Sequence, residues 1–84
     1  MAWFAYIARA RTGRYYTGIT TDPTERIGEH NLGAGSRFAR QQGPLELVYR
    51  SRPFSTKSEA RKREIQIKPW SRAKKDRLIR GEWI

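Results

Sequence analysis

The chain has 84 residues, of which 18 are Lys or Arg and 8 are Asp or Glu, a formal net charge of +10. That length suits one domain with a small core, here taken to span residues 1–84, and 37% hydrophobic content is enough to fold it. The absence of Cys excludes disulfides and thiolate metal sites, and one histidine, His30, cannot build a His-rich zinc centre. Any metal is therefore expected to be a hard ion held by carboxylate and water. No run of about 18 apolar residues exists to span a membrane, and the start Met1-Ala2-Trp3-Phe4 lacks a secretory pattern, so a cytoplasmic protein is expected. The excess of positive charge points to a polyanionic partner, nucleic acid above all.

Residues 3–8 are aromatic and β-branched and predict a strand; Arg11-Thr12-Gly13 predicts a turn, and residues 15–20 a second strand paired antiparallel to the first. Asp22-Pro23-Thr24-Glu25 is a helix start, with Asp22 as N-cap and Pro23 in the first turn, and the helix should run to about Leu32 and stop at Gly33 or Gly35. A basic loop over 36–43 leads to a third strand over 45–50. Thr56 and Glu59 match a capping box opening a helix over 57–68, which Pro69 ends. Ser71 can cap a last helix over 72–80, closed by Gly81. The order ββαβαα predicts an α/β (α+β) fold with a three-stranded, mainly antiparallel sheet flanked by helices.

On this frame Tyr6 and Tyr16 share a face of the hairpin if the turn has three or five residues, with Tyr6 opposite Gly18. A glycine inside a strand needs a reason, such as close approach of a ring or ligand; the same pattern also suits two core tyrosines beside a bulge. Arg26 and His30, at i and i+4, share one helix face and could meet a phosphate, or be an exposed Arg beside a hydrogen-bonded His. Ala60, Glu64 and Ile67 form the stripe that a helix turns toward its sheet. A carboxylate there needs a cation, either a metal or an arginine. Glu59 is explained by the cap. Arg61, Lys62, Arg63, Lys68, Arg72, Lys74, Lys75 and Arg77, with Arg37 and Arg40 in the central loop, supply a surface for backbone phosphates.

Together these residues resemble the GIY-YIG nuclease superfamily. Its two name-giving tripeptides correspond to Phe4-Ala5-Tyr6 and Tyr16-Thr17-Gly18, its helix Arg and His to Arg26 and His30, and its metal-binding Glu before an Ile-Lys pair to Glu64 ahead of Ile67-Lys68. The Tyr-Tyr-Thr-Gly-Ile-Thr run, Glu29-His30-Asn31 and Lys57-Ser58-Glu59-Ala60 look like the small stand-alone bacterial branch. The resemblance implies a metal-dependent endonuclease that hydrolyses phosphodiester bonds, of DNA rather than RNA, in repair or processing. It further implies one Mg²⁺ or Mn²⁺ on Glu64, Arg26 against the phosphoryl charge, and one of Tyr6 and Tyr16 positioning or deprotonating water with help from His30. A monomer is the default expectation. Two other readings are a basic nucleic-acid-binding module without catalysis, and an adaptor presenting Trp70 and Trp83.

Overall fold

The computed structural model describes residues 1–32 and 44–82. Its elements are β1 (Phe4–Arg9), β2 (Tyr15–Thr20), α1 (Pro23–Leu32), β3 (Glu46–Arg50), α2 (Lys57–Ile67) and α3 (Arg72–Ile79), the expected order with element ends shifted by about one residue. The central-loop expectation over 36–43, with Arg37 and Arg40, lies outside the described residues, as do Gly33, Gly35 and Trp83. No helix of the described residues is long and apolar enough to cross a membrane.

The sheet is antiparallel throughout, in the order β2-β1-β3. Between β1 and β2, Ala10 N–H donates to the Arg14 carbonyl at 2.8 Å and Gly13 N–H to the Ala10 carbonyl at 2.8 Å. Gly13 has φ 91°, the left-handed backbone that closes such a short loop and that glycine adopts without a Cβ penalty. This closure sets Tyr6 opposite Gly18 and Ala8 opposite Tyr16.

Because β1 is the middle strand, it is covered on both sides: Ala5, Ile7 and Ala8 are fully buried. Ala8, Ala10, Ile27 and Leu45 form one small core, flanked by Tyr6, Tyr16 and Leu47. Ile7, Ile67 and Leu78 form the other, flanked by Tyr15, Val48, Tyr49, Trp70 and Ile79. Helix α1 thus covers one face of the sheet, and α2 with α3 the opposite face. Trp70 is accounted for as a half-buried member of the second core, with Lys74 Nζ 4.2 Å from its ring centre.

The caps read from sequence are formed. Asp22 Oδ1 accepts from Glu25 N–H at 3.0 Å, and Thr56 and Glu59 make a reciprocal capping box. Ser71 accepts from Lys74 N–H at 3.2 Å, and Gly81, at φ 80°, ends α3. Tertiary hydrogen bonds do the rest. The Asn31 amide clasps the start of β3, its Nδ2 donating to the Leu45 carbonyl at 2.9 Å and its Oδ1 accepting from Leu45 N–H at 2.7 Å. Ser51 is buried and its Oγ accepts from Ala5 N–H at 2.9 Å.

Helix α3 is tied to the hairpin by Tyr15, whose hydroxyl donates to Asp76 Oδ1 at 2.5 Å while Arg72 lies over its ring at 4.1 Å. That hydrogen bond, then burial and the Asp76 charge, raise the Tyr15 hydroxyl above its ordinary value. A folded pKa above the unfolded one favours folding at lower pH, and this contribution is lost as pH rises through the folded value. Tyr15→Phe is therefore expected to cost about 1 kcal/mol or less at neutral pH. It should also flatten the fall in stability above about pH 10, where free tyrosine ionises. Denaturant midpoints of both proteins from neutral to alkaline pH check this; parallel curves would refute it.

Candidate active site

Tyr6, Gly18 and Tyr16 lie on the sheet face that α1 covers. Strand β1 is central, yet the Tyr6 ring reaches outward across β2. A Cβ built on Gly18 would stand 2.7 Å from the Tyr6 hydroxyl and 2.8 Å from its Cζ. Only the missing side chain lets the ring cross the strand there, which explains a glycine in mid-strand better than a bulge does. The Tyr6 hydroxyl consequently lies over β2, an outer strand of the sheet. Tyr16, two residues before Gly18 on the same face, is half-buried against the α1 core.

Helix α1 sets its two candidates by its own burial pattern. Pro23 and Ile27 are buried, so Arg26 is thrown to the exposed flank and His30 to the partly covered one. The His30 Nε2 atom is screened from solvent.

Glu64 comes from the other side. Ala60 and Ile67 are fully buried, and between them the Glu64 side chain is only 12% exposed. Its ion pair is a loose one: Arg61 Nη1 stands 3.5 Å from Oε1 and the Arg61 side chain is 61% exposed. A pair of that kind compensates a covered carboxylate weakly. Helix α2 packs on β1 and β2. On that side of β2 the Thr17 Oγ1 atom is buried without a hydrogen-bond partner among the described residues. Tyr6, Tyr16 and Gly18 thus share the sheet face covered by α1, the helix that carries Arg26 and His30, while Glu64 stands on the helix of the opposite face. Strand β2 and its edge separate the two sets.

The basic residues divide in two. Lys62 and Lys68 are exposed on α2 and its C-cap, and Lys75 is half-buried with its ammonium held below the ordinary lysine value by burial and then by Lys68. Two ammonium groups that disfavour each other's charge gain from a bound anion. Arg72, by contrast, is engaged internally, on the Tyr15 ring and with the Gly13 carbonyl. Arg61 is shared with Glu64, and Arg63 and Lys74 lie on opposite sequence sides of Trp70 at 5.3 and 4.2 Å from its ring centre.

Residues 2–77 match the GIY-YIG catalytic domain. Together with the ββαβαα fold and the tyrosine face, this match places the chain in the GIY-YIG family, and so in a superfamily of nucleases. Within the family the chain is similar to small proteins of its own size. It is 41% identical over 80 residues to a UPF0213 protein of Cronobacter sakazakii, covering 95% of this chain and 83% of that protein. It is 43% identical over 77 residues to a UPF0213 protein of Staphylococcus aureus, covering 92% and 93%. The solution NMR structure of a UPF0213 protein from Bacillus halodurans aligns with a TM-score of 0.57 at 39% identity, over 94% of this chain and 83% of that one.

Proposed function

We propose that this protein is a divalent-metal-dependent endonuclease acting on DNA in repair or processing, its activity contained in residues 1–84 and assembled across the β2 edge. The observation that carries this reading is the Tyr6 hydroxyl lying over Gly18 on an outer strand, with α1 on one side and the Glu64 helix on the other. A strand of DNA laid along β2 would meet all three.

The residues present suit a hard divalent ion. Glu64 offers a largely covered oxygen donor with one loose partner, and the orphan Thr17 hydroxyl lies on the same side of β2. Among the described residues no three His, Asp or Glu cluster, so the ion would be held by Glu64 and water, a mode in keeping with Mg²⁺ or Mn²⁺. When bound, such an ion supplies Lewis-acid stabilisation of the departing oxygen.

The chain's own groups do the remainder. Arg26 donates to the non-bridging phosphoryl oxygens, where charge gathers as the nucleophile attacks. Tyr6 and Tyr16 position the attacking water, and one of them, as its phenolate, accepts the water's proton, with His30 supporting the pair from α1. Lys62, Lys68 and Lys75 hold flanking phosphates without reading sequence. A cytoplasmic monomer is the form proposed, with DNA as the partner.

The test is incubation of the protein with labelled single-stranded, duplex and branched DNA in Mg²⁺, Mn²⁺ or EDTA, scoring cutting and binding separately. Cutting that needs the metal supports the reading. Salt-sensitive binding with no cutting of any substrate would overturn it in favour of a binding module.

A further inference from the structure

The sheet carries a second cationic feature beside the tyrosines, at the end where β1 begins and β3 finishes. Arg50 is the direct cross-strand partner of Tyr6, so the two side chains leave the sheet on the same face. The Arg50 guanidinium lies over the Phe4 ring, 5.4 Å from its centre, and Phe4 is on that face too, two residues before Tyr6. Two more such pairs lie on the Trp3–Phe54 bridge at the same end of the sheet, where Trp3, one residue before Phe4, alternates to the other face. Arg52 lies over Phe54 at 5.5 Å and Lys57 over Trp3 at 5.4 Å, while Trp3 and Phe54 are bridged by hydrogen bonds of 2.9 and 2.8 Å. The three cations are exposed, and among the described residues none pairs with a carboxylate.

A cation resting on a ring is oriented by it, which lowers the entropy lost when its donors take a ligand. Arg50 keeps a planar fork of donors fitted to bidentate phosphate binding. Covering a ring is also what a long cationic stem does for its own sake. That accounts for the stems, but not for three cations without a carboxylate partner among the described residues at one end of the sheet that carries the candidate site, Arg50 directly beside Tyr6.

We propose that Arg50 is a phosphate clamp beside Tyr6, and that Arg52 and Lys57 carry the contact with the nucleic-acid backbone round the Phe4 end of the sheet toward its other face. The surface is sequence-independent and engages phosphates flanking the one that is cut. The inference relies on the nucleic-acid substrate of the reading above and is independent of whether cutting occurs.

The experiment is fluorescence anisotropy with a labelled DNA duplex, in EDTA, over a range of salt concentrations. Each lost phosphate contact should lower the slope of log affinity against log salt by about 0.9. Arg50→Gln is expected to show that loss, with affinity reduced about 8-fold near 0.1 M salt, and Arg50→Gln/Arg52→Gln/Lys57→Gln a loss of about 2 to 3 in slope. Glutamine keeps methylenes over each ring, so the thermal midpoint should hold. Arg50→Lys should retain the wild-type slope. Arg80→Gln, which removes the same charge from the Arg80–Glu82 pair at the end of α3, should retain it too. A wild-type slope for Arg50→Gln, or an equal loss in Arg80→Gln, would overturn the proposal. So would an Arg50→Lys protein that behaves like the Gln variant, or a wild type that binds no DNA. A wild type that binds but never cuts, with the slope still lowered in Arg50→Gln, sinks the nuclease reading and upholds this one.

Discussion

Glu64→Gln is expected to lower DNA cleavage by about 10²–10³-fold, the scale typical of losing one group that stabilises developing charge. Binding in EDTA and the thermal midpoint should stay at or slightly above wild type. The two expectations belong together. Glutamine keeps the shape of Glu64 but cannot supply the anionic oxygen a hard ion takes. Removing the charge from a side chain only 12% exposed, whose partner is 3.5 Å away and 61% exposed, relieves as much desolvation as it forfeits attraction. Were Glu64 merely half of a structural ion pair, Arg61→Ala would damage cutting as badly. The prediction is that Arg61→Ala weakens affinity yet retains the rate at saturating DNA. Single-turnover cleavage, anisotropy and thermal melts of the three proteins decide between these roles.

Gly18→Ala is the second substitution with a large expected effect. The added methyl would sit 2.7 Å from the Tyr6 hydroxyl, 2.8 Å from Cζ and 3.0 Å from Cε1, closer than side-chain atoms approach. The obstacle is an aromatic ring packed against the α1 core, which cannot swing aside as a lysine tip could. Overpacking of this kind costs about 1–3 kcal/mol, a large share of the marginal stability of so small a chain. Because the ring must move off β2, cleavage should fall beyond what the stability loss explains. Pairing the change with Tyr6→Leu should recover part of the stability and none of the activity, the non-additivity expected of residues in contact. Additive stability losses would show that the ring and the glycine do not meet.

Local chemistry made much of this protein legible before any coordinates. Asp22, Thr56 with Glu59, and Ser71 announce helix starts because their side chains satisfy amide donors one turn away, and that need depends on a few neighbouring residues. For the hairpin, the sequence marked the turn at Gly13 and left its length open; the observed Arg9–Tyr15 pairing settles that Tyr6 and Tyr16 share a face. Glu64 was conspicuous because a carboxylate interrupts an apolar stripe. Arg72, read from the sequence as a phosphate-binding residue, also holds the Tyr15 ring and the Gly13 carbonyl, contacts that composition does not announce.

What the chain's order of residues determined by itself, then, is the set of elements, their caps and the excess of positive charge. Tertiary structure decided which sides those elements take. Nothing in α2 says that it packs opposite α1, because both helices present small apolar stripes that either sheet face could accept. Strict alternation along β3 would send Arg50 to the side away from Leu47 and Tyr6. The register shift beside Ile7 and Ala8 leaves Val48 unopposed and brings Arg50 opposite Tyr6 instead. The clasps made by Asn31, Ser51 and the Tyr15–Asp76 pair join residues 14, 46 and 61 positions apart. Such contacts depend on which surfaces pack, and packing is settled only when the whole chain closes on its two small cores.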